Sequence, residues 1–330
     1  MLKAKSIHRL YIIRAVVLLV LFGIRVPAIT AEELIIDHVS KNDSLANGLE
    51  EIVLSNNEIV YSENDPGGRP VAELLFYPQF RFKNTRLDRF YLIQLNVNPA
   101  LHIQLWKGAV ATAQVIFPIH NDFSTDESKI RPGMLTVSQT LKLPAGFHML
   151  GTVGYFSTQR AGGDIKLYRP VTSNAGVYAQ AGLTYWSLPF FDRWIVSDNY
   201  RVNWRVGANY FFDSARILLN ANVAKNLEDD VTLRGEVSRY FKNASVGFYM
   251  QTLQYDGYTF NGGFFFTISL PPRNRPVNRK FIVAPSREFS LEYVARPYSI
   301  TKGVFYKTSP TENSNHNFFN NFLLGEQTYY

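Results

Sequence analysis

The stretch YRVNWRVGANYF, Tyr200 to Phe211, alternates strictly between two kinds of side chain. Successive side chains of a β-strand point to opposite faces, so this segment predicts a strand with one hydrophobic face and one face that carries two guanidinium groups. Protein core or lipid must cover the hydrophobic face. About ten residues with aromatic side chains at both ends suit a tilted strand that crosses a bilayer.

The same alternation recurs along residues 69–298, in about 12 segments, or 14 if the weakest are counted. Tight turns such as Lys242-Asn243 and Asp256-Gly257 are interleaved with longer connections, among them His120 to Pro132 and Ser187 to Asp198. We find no helical periodicity of useful length in this region. The pattern predicts an all-β fold, a transmembrane antiparallel β-barrel. A soluble β-sandwich gives the same alternation and is the alternative.

The N-terminus has the features of an export signal. Basic residues precede the apolar run Ala15 to Ile24, which is too short to span a bilayer as a helix, and small residues follow near Ala31. We therefore predict a signal peptide at 1–31, with an uncleaved anchor as the alternative. Five of the 34 Lys and Arg residues lie in it, which leaves 34 − 5 = 29 against 27 Asp and Glu. Charge thus gives no argument for nucleic-acid binding.

The absence of cysteine limits the chemistry of an exported chain. Disulfides, thiolate metal sites, cysteine nucleophiles and a lipoprotein anchor are all excluded. Residues 32–68 predict a small α+β element on the periplasmic side, with short strands at EIVL and EIVY and a turn cluster at Asp65 to Gly68. Residues 299–330 predict a loosely ordered C-terminal tail, of which Phe318 to Leu324 is apolar enough to dock.

If the apolar faces meet lipid, the opposite faces line a lumen with both signs of charge. The predicted lumen-lining residues, which are also candidates for glycan contact, are Gln114, Tyr178, Gln180, Arg201, Asn203, Arg205, Asn209, Arg234, Glu236, Glu288 and Glu292. One interpretation is structural, with Arg234 or Arg205 paired to Glu236 or another interior carboxylate. The other is a ligand site, in which polar groups bind hydroxyls and Tyr178, Trp186 and Trp106 stack on sugar faces.

Signals for catalysis are weak. The chain has no G-x-S-x-G, H-E-x-x-H or glycine-rich phosphate loop. We interpret Gly162-Gly163 as a turn and Gly262-Gly263 as part of a strand whose lumenal side needs room. His102, His120 and His148 are the remaining candidates for a hydrolase site. We predict a non-enzyme without cofactor or metal.

Four segments resemble the YjbH-like and GfcD-like family of exopolysaccharide (capsule) biosynthesis outer-membrane β-barrels. They are LANGLEEIVLSNNEIVYSE from Leu45, LWKGAVATAQVIFPIHND from Leu105, GDIKLYRP from Gly163, and Val237 to Pro272, which ends GGFFFTISLPP. The resemblance rests on the order and spacing of these segments. Many family members are longer, with two barrel-sized regions, whereas this chain has room for one.

The resemblance implies an outer-membrane protein that assists the export or assembly of an extracellular polysaccharide and carries no known catalytic site. The implied partners are outer-membrane lipid, the polysaccharide and other components of its export apparatus. A general porin or nutrient channel and a barrel enzyme acting on lipid or glycan are the alternatives, as is a structural or adhesive barrel.

Overall fold

The computed structural model describes residues 72–84, 92–122, 128–189, 193–254, 257–270, 280–295, 302–313 and 317–324, all within one compact unit, Leu49–Tyr330. The predicted signal peptide, 1–31, and the predicted periplasmic element, 32–68, lie outside the described residues. No helix in the described part of the chain has the length and apolar character that a membrane span requires.

Strands make up almost all of the described chain. They are β1 (Ala72–Asn84), β2 (Leu92–Trp106), β3 (Ala109–Asn121), β4 (Arg131–Leu143), β5 (Phe147–Phe156), β6 (Arg160–Thr172), β7 (Ala175–Pro189), β8 (Trp194–Phe212), β9 (Ile217–Lys225), β10 (Val231–Tyr240), β11 (Ala244–Gln254), β12 (Tyr258–Ser269), β13 (Phe281–Pro285) and β14 (Glu288–Ala295). Three short helical turns complete the description, namely Pro144–Gly146 and Pro310–Asn313, both 3-10, and Asn321–Leu324, which is α-helical.

The strands close into a barrel. From β1 to β12 each strand pairs antiparallel with the next, and β12 pairs antiparallel with β14. The strand β1 completes the ring by parallel pairing, first with β13 and then with β14. Because β13 and β14 share one place in the wall, the barrel has 13 strands, between the predicted values of about 12 and 14.

An odd number of strands explains the parallel closure. In a meander of antiparallel neighbours, the first and last strands run in the same direction whenever their number is odd. The wall therefore begins at Ala72 at one mouth of the barrel, called the near mouth, and ends at Ala295 at the other, called the far mouth. The hairpin turns at the near mouth hold two to four residues, whereas those at the far mouth hold three to nine. The longer segment 270–280, between β12 and β13, is also at the near mouth.

The faces of the wall have inverted polarity. In β2 every second side chain from Gln94 to Gln104 is buried, and most of these are amides, whereas the alternate apolar side chains are more exposed. In β8 the Val202 side chain is 54% exposed and its neighbour Asn203 is 0% exposed. The apolar faces predicted for the strands thus point outward, and the predicted polar faces point into the lumen.

Aromatic side chains lie on the outer surface near both mouths. Tyr210 and Phe212 are in edge contact near one mouth, and Tyr200 contacts Tyr185 near the other. Ten residues separate Tyr200 from Tyr210, and at about 3.3 Å per residue and a tilt of about 40° they span about 25 Å. That height matches the apolar band of a barrel embedded in a membrane.

Several sequence-based boundaries were wrong. Gly162 and Gly163 lie within β6 and not in a turn, and at Gly162 a side chain would overlap the carbonyl oxygen of Leu183. The segment Ser187 to Asp198, predicted as a long connection, is largely a continuation of β7 and β8. The chain passes straight through Pro99, which lies inside the single strand β2.

Candidate functional site

The lumen is the candidate functional site, and the chain's own C-terminal segment occupies part of it. We call residues 302–324 the plug, of which 302–313 and 317–324 are described. Its hydrogen bonds and ring contacts run to β5 through β11 and the turns that join them. The prediction of a loosely ordered tail at 299–330 is therefore wrong for these residues. The predicted docking of Phe318 to Leu324 is confirmed.

The plug enters at the far mouth. The Lys302 ammonium donates to the Gln254 carbonyl (2.7 Å), and the Gly303 amide donates to the Asp230 carboxylate (2.9 Å). The Val304 carbonyl accepts from the Leu227 amide (3.1 Å). Because two of the three bonds use the plug backbone, they fix the path of this segment largely independently of its side chains.

Deeper in the lumen, a polar network surrounds Tyr306. Its hydroxyl donates to Asp164 Oδ2 (2.7 Å), which also accepts from Gln180 Nε2 (2.8 Å). Gln180 in turn accepts from Arg205 Nε (2.9 Å). Burial raises the pKa of Tyr306, and the adjacent Asp164 carboxylate raises it further, so the phenol stays protonated and acts as the donor.

One buried ion pair joins the plug to the wall. Lys166 Nζ lies 2.6 Å from Glu312 Oε1, and the two side chains are 1% and 9% exposed. The same carboxylate accepts from the Thr308 hydroxyl (2.8 Å) and from the Ser309 amide (3.1 Å). Burial alone would raise the pKa of Glu312, but Lys166, with help from Arg205 and Thr308, lowers it to about 2.

Near the other mouth the contacts become aromatic and apolar. Phe319 stacks on Tyr178 with ring centroids 4.2 Å apart, and Phe322 stacks on Tyr168 at 4.4 Å. Leu323 and Leu324 pack into a buried cluster of wall side chains, which are Phe211, Leu218 and Tyr240. The plug therefore runs through the lumen from the far mouth to the near mouth.

Arg205 is held between two rings of the plug. Its guanidinium carbon lies 4.9 Å from the centroid of Phe305 and 5.3 Å from that of Phe319. A cation over an aromatic face is attracted by the ring quadrupole, most strongly where water is excluded. The plug thus covers Arg205, one of the two arginines on the polar face of β8.

No known family model or curated protein matches this chain.

The structure brings many of the predicted lumen residues to the plug or to its supports. Asn209 Nδ2 donates to the Phe319 carbonyl (2.8 Å), and Tyr178 donates to Asn220 Oδ1 (2.6 Å) beneath its stacked ring. Gln180 and Arg205 belong to the Tyr306 network. Side chains predicted to contact a glycan are here engaged with the chain itself.

Other predicted residues form hydrogen bonds or ion pairs within the wall and its turns. Arg234 forms the predicted internal ion pair with Glu236, Nη2 to Oε1 at 2.5 Å. At the far mouth, Arg201 bonds to the Leu227 carbonyl, and Asn203 donates to the Asn226 carbonyl (2.7 Å). The remaining three are on strands β3 and β14, well round the ring from β8, and they are Gln114, Glu288 and Glu292.

The tryptophans predicted as sugar platforms lie at opposite mouths. Trp106 is 57% exposed at the near mouth, where its indole donates to Gln139 Oε1 (2.7 Å). Trp186 is at the far mouth, and its indole donates to Gln159 Oε1 (3.0 Å). They are separated by the length of the barrel, so they do not form one platform with Tyr178.

The three histidines do not come together. His102 lies between the hydroxyls of Tyr77 and Thr112, at 3.0 Å from each. His148 packs on Phe322, and His120 lies 3.3 Å from Asp122 beside the 122–130 connection. Among the residues that the structure describes, no cluster of His, Asp or Glu has the arrangement of a metal site.

Sequence reasoning missed the residues that hold the plug, above all Asp164, Lys166, Tyr306 and Glu312. One signal for them was available: Asp164 and Lys166 share the lumenal face of β6, and charged side chains on a buried face require partners. Their partners lie over 140 positions later in an aperiodic segment, so strand patterning alone does not identify them.

Proposed function

We propose that this protein is an outer-membrane β-barrel that assists the export or assembly of an extracellular polysaccharide. The inverted polarity of the wall is the observation that carries the membrane location. Exposed valine, leucine and phenylalanine on the outer face, above buried amides and hydroxyls, would aggregate in water but fit a bilayer. Short turns are typical of the periplasmic end of such barrels, so the near mouth faces the periplasm.

The polysaccharide part of the proposal is supported by the lumen and by the family resemblance. Asparagine, glutamine, threonine and serine dominate the buried lumenal side chains, and these neutral groups both donate to and accept from hydroxyls. Several lumenal charges are engaged within the protein, in ion pairs at Arg234 with Glu236 and at Lys166 with Glu312, and in a hydrogen bond from Arg205 to Gln180. Such an interior favours a neutral polyhydroxylated chain over an ion.

The plug supports this proposal over a general porin. A porin holds a water-filled channel open, whereas here Tyr306, Phe319 and Phe322 are packed inside the barrel. For a glycan to pass, the plug must move, or the glycan must use the part of the lumen that the plug does not fill. Either route makes the protein a controlled component of an export apparatus.

Deletion of the gene tests the function. We expect surface polysaccharide to fall while its precursors accumulate inside the cell, with recovery when the wild-type gene is supplied. Unchanged polysaccharide, together with a large steady conductance of the purified protein in planar bilayers, would contradict the proposal and indicate a porin. Recovery of the mature protein from the periplasm, folded without detergent, would remove the membrane location.

A further inference from the structure

The wall of β1 to β3 contains a second group of lumenal side chains, about half the ring away from β8. They are Gln79, Asn96, Asn98 and Gln114, which we call the amide patch. Gln79 lies directly across from Asn96 in the β1–β2 ladder, and Gln114 pairs across from Ala100 on β3. The four amides thus occupy adjoining positions on one face of three neighbouring strands.

The hydrogen bonds within the patch leave part of it unused. Asn96 Nδ2 and Asn98 Nδ2 both donate to the single oxygen Oε1 of Gln79, at 3.3 and 3.2 Å. The Oδ1 atoms of both asparagines and Nε2 of Gln114 are buried without a hydrogen-bond partner. Exposure of the three residues is 1%, 2% and 5%, respectively.

Unused polar atoms at this depth are costly. Leaving one buried donor or acceptor unsatisfied costs about 1–3 kcal/mol, so three close together are unusual for a finished interior. The Cα atoms of Asn96 and Asn98 are about 7 Å apart, since the two residues are two positions apart on one strand. The patch therefore presents two acceptors and one donor on one face of neighbouring strands, where a chain of hydroxyl groups can meet them.

The chemistry of the patch selects a neutral ligand. All four of its side chains are uncharged, and neither a carboxylate for a cation nor an ammonium for an anion belongs to it. On β1, Arg81 lies two positions from Gln79 and donates to Gln94 Oε1 (3.4 Å), and on β2 His102 is held between Tyr77 and Thr112, so the nearest ionisable side chains are already engaged. Hydroxyl groups both donate and accept, so a sugar unit can satisfy the asparagine oxygens and the glutamine amide together.

We infer that the amide patch binds a neutral segment of glycan inside the barrel, on the wall formed by β1 to β3. This inference rests on the proposed function and names the part of the lumen that recognises the polysaccharide. The competing explanation is ordinary buried water, which satisfies such atoms in many proteins. The two explanations differ in whether replacing the amides changes affinity for an oligosaccharide.

The test measures binding of maltohexaose to the full-length protein in detergent micelles by calorimetry, with hexagalacturonic acid as the anionic comparison. We expect the neutral probe to bind and the anionic one to bind at least about tenfold more weakly. Asn98→Leu should reduce affinity for maltohexaose about tenfold, as expected for a lost hydrogen bond to a buried group. Gln114→Leu should do the same without disturbing the bonds to Gln79.

Gln104→Leu is the matched control, because Gln104 is a buried amide on the same face of β2 outside the patch. It should change affinity less than about twofold, and circular dichroism confirms that each variant folds. No binding by the wild type, tighter binding of the anionic probe, or equal affinities in all variants would overturn the inference in favour of water. Normal polysaccharide export in the gene deletion would instead remove the proposed function and leave the binding site standing.

Discussion

At the scale of the residue, the Lys166–Glu312 pair is the contact on which plug docking depends most. Both groups are almost completely buried, and Glu312 also caps the turn at Pro310–Asn313 by accepting from the Thr308 and Ser309 amides. Removing one member of a buried pair leaves the other charge without compensation, which costs about 3–5 kcal/mol. The pair therefore links the stability of the plug to the wall.

Glu312→Gln should loosen the plug, since it removes the carboxylate that pairs with Lys166 in a buried site. The change is measured in a Ser309→Cys background as the rate of labelling by a membrane-impermeant maleimide. The native chain has no cysteine, so labelling reports position 309 alone. We expect faster labelling and more frequent opening events in planar bilayers.

Asp229→Asn is the control for that variant, because it removes a carboxylate from an exposed pair with Lys225 (3.0 Å). Its effect should stay below about 1 kcal/mol. Adding Lys166→Met to Glu312→Gln should restore slow labelling in part. Equal labelling of the Glu312 and Asp229 variants would show that the ion pair does not hold the plug.

Acid should loosen the plug, as Glu312→Gln does. The pKa of Glu312 is about 2 in the folded barrel and lies near 4.5 without its partners. A depressed pKa contributes stability that is present above about 4.5 and lost as the pH falls towards 2. Opening events in planar bilayers should therefore become more frequent across this interval, and much less so in the Glu312→Gln variant.

Gly182 makes room for the plug. A methyl group at this position would overlap the Tyr306 hydroxyl and come within 2.9 Å of the Gly163 carbonyl oxygen. Gly182→Ala should displace Tyr306 and lower the thermal stability of the barrel, measured by the loss of heat-modifiable mobility on gels. Gly151→Ala is the control, because nothing lies within 4 Å of its added carbon. Adding Tyr306→Phe should restore part of the loss, and no difference between the two glycine variants would contradict this role.

At the scale of the element, strands were predictable and the plug was not. Each strand has a two-residue period because its alternate side chains face the outer surface and the lumen, as Val202 and Asn203 show. The short strand β13 was missed because five residues hold too few alternations. The plug has no period at all, since Phe305, Glu312 and Phe319 each contact a different part of the wall.

Within the lumen, sequence reasoning found the polar faces and left two interpretations open, contacts within the protein or contacts with a ligand. Tyr178 and Asn209, which were candidates for glycan contact, meet the plug. A lumenal face shows only that its side chains need polar or aromatic partners. The partner itself depends on contacts between residues that are distant in sequence, as between Asn209 and Phe319.

A charge on the outer face of β8 tests whether lipid covers it. Val206 lies between the aromatic positions 200 and 210, near the middle of the proposed membrane span. Val206→Lys should lower the free energy of unfolding in lipid vesicles by about 2–4 kcal/mol. Val196→Lys, near the end of the β7–β8 hairpin, should cost about 0–1 kcal/mol. Equal costs in urea titrations would indicate that both positions face water.

At the scale of the whole molecule, the odd strand number and the plug are connected. Thirteen strands place the end of β14 at the far mouth, opposite the start of β1. The following segment can then return through the lumen, and Lys302 to Leu324 does so. With an even number of strands, the same segment would start at the near mouth, and its order of contacts would be reversed.

Paired cysteines test the parallel closure on which this arrangement depends. Leu74 is opposite Val283, and Phe80 is opposite Leu291, so both pairs should form disulfides when each is introduced alone. The crossed pairs, Leu74 with Leu291 and Phe80 with Val283, are the matched control. Positions 74 and 80 are about 20 Å apart along β1, beyond the reach of about 7 Å between Cα atoms in a disulfide, so the crossed pairs should stay reduced. An antiparallel seam would favour the crossed pairs, and the plug would then have to enter the barrel from the mouth where β1 begins.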